Sequence, residues 1–183
     1  MYRLGHLVEE QWVEHSHPAV FRCHTSRSGT PRITAGVPGS DPSVVLELAK
    51  CLEAPLFLLY VLHTPRGEAE AGRYQSPELS LFEVQELFEE FRPFLSGDGR
   101  FDIWLYSPSQ RATVVWDRHN TLYGYGPLKC FQASLEAQGF VEGEVPRLGE
   151  HTHHYRAELD QYAKALLSRY HWLQSPLRPE DEQ

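Results

Sequence analysis

The sequence lacks a long apolar segment, and its first residues lack the apolar core of a secretory signal. The longest apolar run, residues 54–62, is nine residues long, whereas a membrane-spanning helix needs about 20. The opening stretch, MYRLGHLVEEQWVEHSHP, mixes charged and polar side chains with the apolar ones. We therefore expect a cytoplasmic protein with no membrane partner.

Positive charge is also scarce. The chain has 17 Lys and Arg against 25 Asp and Glu, for a formal net charge of −8. Binding to nucleic acids depends on cationic side chains that displace counterions from phosphates, so we expect no nucleic-acid partner. Arginine greatly outnumbers lysine, which is typical of a GC-rich bacterial genome.

Cysteine is rare, and familiar catalytic signatures are missing. Cys23, Cys51 and Cys130 are widely spaced and form no CxxC pair. This pattern argues against a zinc ribbon or a disulfide framework, and it indicates free thiols in a reducing compartment. The sequence also contains no GxSxG, HExxH, Walker or EF-hand motif.

What is present is enough for one globular domain. With 183 residues, of which 41% are hydrophobic, the chain can bury a core without a metal or a disulfide. We place a single α+β domain at residues 19–174. Residues 1–18 are expected to be a partly ordered lead-in, and the proline-rich, acidic residues 175–183 a flexible tail.

Hydrophobic periodicity and turn residues predict mixed secondary structure. Strands are predicted at 20–24, 32–37, 56–62 and 140–145, with a loop at 64–77. Helices are predicted to begin near Asp41, Ser80, Gly126 and Thr152. Ser80 and Glu83 match a capping box. Residues 101–125 read as a three-strand meander. Together these elements predict a mixed, largely antiparallel sheet with four helices packed on it.

The second turn of the meander carries the first candidate site. Asp117 and His119 are two residues apart, so in extended backbone they would share a face. A carboxylate beside an imidazole raises its basicity, which suits a general base. These two residues are the catalytic candidates. The alternative is a structural turn, since Asp and Asn favour turns through bonds to nearby backbone.

A histidine-rich stretch, Glu150-His151-Thr152-His153-His154, carries the second candidate site. If a helix begins here, His151, His154 and Glu158 fall within about 60° of one another, while His153 points away. Imidazoles and a carboxylate are a common ligand set for zinc or iron. A further ligand could come from His119 or His24. The alternative is a histidine tract that binds no cofactor.

Aromatic and arginine side chains form the third group of candidates. Tyrosine, tryptophan and arginine left at a surface are the usual anchors of protein interfaces. Three arginines also cluster in the first predicted hairpin, where they could face an anionic partner or form a solvated face. The binding candidates are Asn120, Tyr123, Tyr125, Trp104, Arg22 and Arg27.

Two stretches carry a resemblance to a known family. Trp116-Asp117-x-His119-Asn120-x-x-Tyr123-x-Tyr125-Gly126-Pro127, followed by His151-x-His153-His154-Tyr155, resembles a family of small uncharacterised bacterial proteins over residues 101–172. That resemblance implies no known activity. In size, acidity and α+β plan, the chain is also similar to immunity proteins that neutralise bacterial toxins.

Two functions remain open from the sequence. The first is a non-enzymatic, immunity-like module that binds a protein partner or a second copy of itself through an acidic and aromatic surface. The alternative is a hydrolase-type enzyme that uses Asp117 and His119, with a metal held through His151 and His154.

Overall fold

The computed structural model describes residues 1–26 and 29–181, which form two β-sheets and a set of helices. The strands are Leu4–Val8 (β1), Gln11–Glu14 (β2), Val20–Thr25 (β3), Pro31–Gly36 (β4), Phe57–Leu62 (β5), Gly72–Gln75 (β6), Phe101–Ser107 (β7), Ala112–Trp116 (β8), Thr121–Tyr125 (β9), Val141–Glu142 (β10), His151–His153 (β11) and Leu173–Ser175 (β12). The larger sheet has the order β10-β3-β4-β9-β8-β7-β5-β6-β12, and the smaller has the order β11-β1-β2. Only β10 and β3 pair in parallel, so the mixed, mostly antiparallel sheet is confirmed.

The helices of the described residues are Ser43–Ala49 (α1), Leu81–Glu90 (α2), Arg92–Gly97 (α3), Leu128–Ala137 (α4) and Asp160–Ser168 (α5). The predicted capping box begins α2: the Glu83 N–H donates to Ser80 Oγ at 3.2 Å, and the Ser80 N–H donates to Glu83 Oε2 at 2.7 Å. The longest of these helices have ten residues, and none in the described chain combines the length and the apolar content that a bilayer-spanning helix requires.

One face of the large sheet is apolar and carries all five helices. Cross-strand neighbours form a continuous row of buried side chains: Phe21, Ala35, Leu122, Trp116, Ile103, Tyr60 and Tyr74. The buried residues of every helix belong to the same hydrophobic cluster as this row. Burial of this apolar area is the main source of stability for the domain.

The opposite face is polar and aromatic. Because successive side chains of a strand alternate between faces, the next row along the same strands is Arg22, Thr34, Tyr123, Val115, Trp104, Leu59, Gln75 and Leu173. Val61 and Val115 on this face are buried but lie outside the hydrophobic cluster. Residues 144–148, rather than a helix, lie against part of this polar face, where they line clefts with Arg22, Thr34 and Tyr123. We call this polar face of the large sheet the open face.

The small sheet lies at one end of the open face, where β7 begins and β8 ends. Arg3 anchors it there: Nη2 donates to the Phe101 carbonyl at 2.8 Å and Nη1 donates to the Asp117 carbonyl at 3.2 Å. Complete burial lowers the pKa of Arg3 to about 10. Two strands therefore lie within residues 1–18, the predicted lead-in.

The predicted start of the last helix, near Thr152, is wrong. Residues 151–153 instead pair antiparallel with β1, with Leu4 opposite His153 and His6 opposite His151. The helix starts only at Asp160. The pairing with β1, almost 150 residues earlier, provides hydrogen bonds for backbone groups that a local helix would otherwise pair. The local periodicity of the sequence does not reveal such a distant pairing.

The expectation of free thiols is wrong for two of the three cysteines. Cys51, just after α1, and Cys130, in α4, form a disulfide across 79 residues. Cys23 is free and exposed. Disulfides persist mainly in oxidising compartments, so the cysteines no longer support the expectation of a reducing compartment. Within the predicted tail, Asp181 is buried and pairs with Arg73 at 2.8 Å.

Candidate functional site

The turn between β8 and β9 is built on Asn120. This residue has a positive φ of 65°, and its N–H donates to the Asp117 carbonyl at 3.0 Å. Its side chain is buried: Oδ1 accepts from Trp116 Nε1 at 2.9 Å, and Nδ2 donates to Val37 and Ser40. Asn120, predicted as a binding residue, is thus placed where it holds the turn.

Asp117 and His119 lie side by side, as their spacing suggests. Asp117 Oδ1 accepts from the Thr121 N–H at 2.8 Å, and Oδ2 lies 3.6 Å from His119 Nδ1. The carboxylate is nearly buried, while the imidazole is partly exposed. This geometry suits a carboxylate that orients the ring, with Nδ1 turned toward the acid and Nε2 on the other side of the ring.

Strand β11 brings two more imidazoles to His119. His151 and His153 are two residues apart in a strand, so their side chains share a face. The ring centroids of His119 lie 5.2 Å from those of both residues, and the His151 and His153 centroids lie 5.5 Å apart. One nitrogen from each ring falls within 4.8 Å of the others. We call these three residues the histidine triad.

The neutral ring of His153 and the hydrogen bond of His151 favour metal binding. His151 Nδ1 donates to the Gly149 carbonyl at 2.9 Å, which leaves the Nε2 lone pair free. Burial, followed by the neighbouring His119 and His151, lowers the pKa of His153 to about 3, so its ring is neutral near pH 7. Neutral imidazoles are the form that binds metal ions.

The spacing also fits a metal ion. Zinc–nitrogen bonds of about 2.0–2.1 Å place tetrahedral ligand atoms roughly 3.3 Å apart. The triad nitrogens, which lie within 4.8 Å of one another, would have to approach further to reach that separation. Three protein ligands leave one tetrahedral position for water or substrate, which is the pattern of catalytic rather than structural zinc sites.

The predicted metal set is only partly assembled. His151 belongs to the triad, but His154 points to the other side of β11, where its ring lies against Gly5. Glu158 lies in a short 3₁₀ turn, exposed and away from the triad. His153, which a helix would turn away, is instead the third ligand candidate. The H-x-H alternation of residues 151–153 is the signal that could have identified it, if read with strand periodicity.

A second group of histidines adjoins the triad. The rings of His6 and His15 lie 4.7 Å apart, and those of His15 and His17 lie 4.6 Å apart. His17 Nε2 donates to the His119 carbonyl at 3.0 Å. Burial first, and then the neighbouring histidines, lower the pKa of His15 to about 4.

Two clefts meet at His119. The larger, of about 600 Å³, lies between the open face and residues 145–148, and it includes Asp117, Tyr123 and His151. We call it the arginine cleft, because Arg32 and Arg147 also line it. The second, of about 540 Å³, includes His63, Arg118, His153 and Tyr155. We call it the His63 cleft.

The His63 cleft contains a carboxylate–imidazole pair that sequence reasoning missed. His63 Nε2 donates to Asp102 Oδ2 at 3.0 Å, and both side chains are almost buried. The other Asp102 oxygen accepts from the Arg118 N–H at 2.7 Å. The two residues lie 39 positions apart and come together only because β5 and β7 pair, so no local sequence motif predicts the pair.

The other predicted binding residues are spread over the open face. Tyr123 and Tyr125 lie near Arg32, with the Tyr125 hydroxyl 3.1 Å from Arg32 Nη1. Trp104 lines a separate apolar groove of about 350 Å³. Arg22 forms an exposed ion pair with Glu144. Arg27 lies outside the residues that the structure describes.

Comparison with protein-family models, with curated proteins and with solved structures finds no match for this chain. The function must therefore be argued from the geometry of the site itself.

Proposed function

We propose that this protein is a metal-dependent hydrolase in which His119, His151 and His153 hold a zinc or iron ion. The observation that carries this proposal is the convergence of three imidazole nitrogens within 4.8 Å of one another, at the point where two clefts meet. When bound, such an ion would act as a Lewis acid and bring the pKa of a water molecule close to 7.

Residues around the triad would divide the remaining work. Asp117 Oδ2 lies 3.6 Å from His119 Nδ1, and a closer approach of the two atoms would orient the ring and support its role as a ligand. His63 donates one ring proton to Asp102, which leaves its Nδ1 as a proton acceptor in the cleft that His119 and His153 also line. His63 is therefore the general base of the proposal, and Asp102 fixes its tautomer.

The activity test uses two chromogenic probes, p-nitrophenyl acetate and p-nitrophenyl phosphate, with zinc-loaded protein. We expect hydrolysis of at least one probe, lost in His119→Ala. For His63→Gln we expect kcat to fall about 10²- to 10⁴-fold, because a general base contributes that much. Zinc content should stay at the parent level in His63→Gln. Probe hydrolysis that is equal in His119→Ala and the parent would overturn the proposal.

A second candidate function is the binding of a protein partner or of a second copy of this chain, which a non-enzymatic, immunity-like module requires. Strand β2 favours it. All four of its residues are exposed, and among the described residues it pairs only with β1. Its tryptophan, Trp12, is 53% exposed, and Val8 and Val13 are exposed on the other face of the same hairpin. Exposed apolar patches and unpaired strand edges are typical of interaction surfaces.

This second candidate predicts a stoichiometric partner after purification from native extract, or a dimer in sedimentation experiments. Trp12→Ser should abolish either assembly. Phe82→Ser is the matched control, because Phe82 is 65% exposed on α2, away from the small sheet. A bare monomer under all conditions would rule the candidate out. A cytoplasmic location stays a prediction, against which the Cys51–Cys130 disulfide weighs.

A further inference from the structure

The described arginines of this chain differ in whether they pair with carboxylates. Eight form ion pairs with carboxylates: Arg22, Arg66, Arg73, Arg92, Arg100, Arg156, Arg169 and Arg178. Among the other described arginines, Arg3 is buried against backbone carbonyls, and Arg111 lies in an exposed turn. The remaining three, Arg32, Arg118 and Arg147, all line the two clefts that meet at His119.

Arg32 is held in place by neutral groups. Its Nε donates to His24 Nε2 at 2.8 Å, its Nη1 donates to the Tyr125 hydroxyl at 3.1 Å, and its guanidinium lies over the Tyr123 ring at 4.9 Å. Burial, and then Arg32 itself, lower the pKa of His24, so this histidine orients the guanidinium without neutralising it. In the described part of the chain, Arg32 Nη2 has no partner.

The charge of this cleft contrasts with that of the whole chain. The protein carries a net charge of −8, but Asp117 is the only carboxylate among the described residues that line the arginine cleft. That carboxylate already accepts from the Thr121 N–H and the Tyr123 hydroxyl. A cation that is oriented by neutral partners and forms no ion pair with a carboxylate of the described residues is typical of a site for an anionic ligand.

We propose that the arginine cleft binds an oxyanion, either a phosphate or a carboxylate group of the substrate, through Arg32 and Arg147. Arg32 supplies a fixed guanidinium, and Arg147 supplies a second cation from the opposite wall formed by residues 145–148. This inference rests on the proposed function for the reaction, and it adds the class of substrate: an anionic ester whose charged group lies in the same cleft as His119 and His151.

Calorimetry on metal-free protein separates this inference from the metal proposal. The probes are inorganic phosphate and acetate at constant ionic strength. We expect at least one of them to bind with a stoichiometry of one, and we expect Arg32→Gln to weaken that binding about tenfold or more. The stronger probe identifies the source of the oxyanion. Arg32→Gln should bind zinc with the same affinity as the parent. Because the anion titration uses metal-free protein, its result does not depend on whether the protein binds zinc.

Two further variants keep the test decisive. Arg147→Gln removes an exposed side chain with no partner among the described residues, so it should weaken anion binding without affecting folding. Lys129→Gln is the control: it removes one positive charge from an exposed position of α4, on the helix side of the sheet. It should leave anion affinity unchanged. Absence of binding by both probes would overturn the inference. So would equal affinity in the parent, Arg32→Gln and Arg147→Gln.

Discussion

The two faces of the large sheet differ although they are made by the same strands. Toward the helices, every residue of the central cross-strand row is apolar or aromatic and buried. On the open face, the adjacent row contains arginine, threonine, glutamine and partly exposed aromatics. Most of the stabilising apolar burial is therefore on the helix side. The open face contributes less to stability, so polar and charged side chains can occupy it.

The open face is itself uneven along the strands. Near Trp104 it is an apolar groove, whereas at the end where β1 and β11 pack it gathers Asp102, Asp117, His63 and the histidine triad. The small sheet is the reason, because β11 adds two imidazoles to what would otherwise be an ordinary hairpin turn. A minor structural element thus determines where the proposed site lies.

The sharpest test of the difference between the faces uses two adjacent residues of β7. Leu105 is fully buried on the helix side, and Tyr106 is 40% exposed on the open face. Leu105→Ala should lower the free energy of unfolding by about 2–5 kcal/mol through loss of packing and creation of a cavity. Tyr106→Ala should lower it by about 1 kcal/mol or less. Urea unfolding measures both, and equal losses would remove the distinction between the faces.

The disulfide should stabilise the helix side without affecting the open face. Cys51 and Cys130 close a loop across 79 residues, and a cross-link of that kind contributes about 2–4 kcal/mol, mainly by restricting the unfolded chain. The double variant Cys51→Ser/Cys130→Ser should therefore unfold at lower urea concentration. Cys23→Ser, at an exposed free thiol, is the matched control. Zinc affinity should be the same in all three proteins, and a loss in the double variant would contradict this separation.

A smaller effect is expected from acid. The pKa of His15 is about 4 in the folded protein, against an ordinary value of 6.5. The unfolded chain therefore binds the proton first as the pH falls, so the contribution of His15 is complete above pH 6.5 and is lost toward pH 4. His15→Gln should show a shallower decline of stability between pH 6.5 and 5 than the parent. Parallel profiles in urea titrations would show that His15 does not contribute.

The parts of the fold that sequence could predict are those with local signals. The meander, the apolar strand β5 and the capped helix α2 all carry periodicity or turn chemistry within a few residues. Strands β1, β2, β6 and β12 lack such signals, and β6 falls in the predicted loop at 64–77. β1 and β12 depend on distant partner strands, β11 and β6, and a local sequence pattern does not report that pairing energy. β2 and β6 pair with the nearby strands β1 and β5.

The candidate site shows the same division. Asp117 and His119 could be identified because they share one turn. His151 was identified as a ligand candidate from the histidine-rich composition of its segment. Because a helix was predicted there, His154 was chosen as its partner instead of His153; helix and strand periodicities place different neighbours on one face. His63 and Asp102 could not be grouped from the sequence, because only the register of β5 against β7 brings them together. Arg32 could not be added to the site either, because it lies at the opposite end of its strand and contributes only to the lining of the arginine cleft.

Zinc titration of metal-free, untagged protein against a chromophoric chelator tests the central claim most directly. Parent, His119→Ala, His151→Ala, His153→Ala and His171→Ala are compared, the last of these being the control at an exposed histidine outside the triad. We expect one zinc ion per chain in the parent and in His171→Ala, and about 100-fold or greater loss of affinity in each triad variant. Absence of stoichiometric zinc, or equal affinity in the triad variants and the parent, would contradict the assignment of the histidine triad as a metal site.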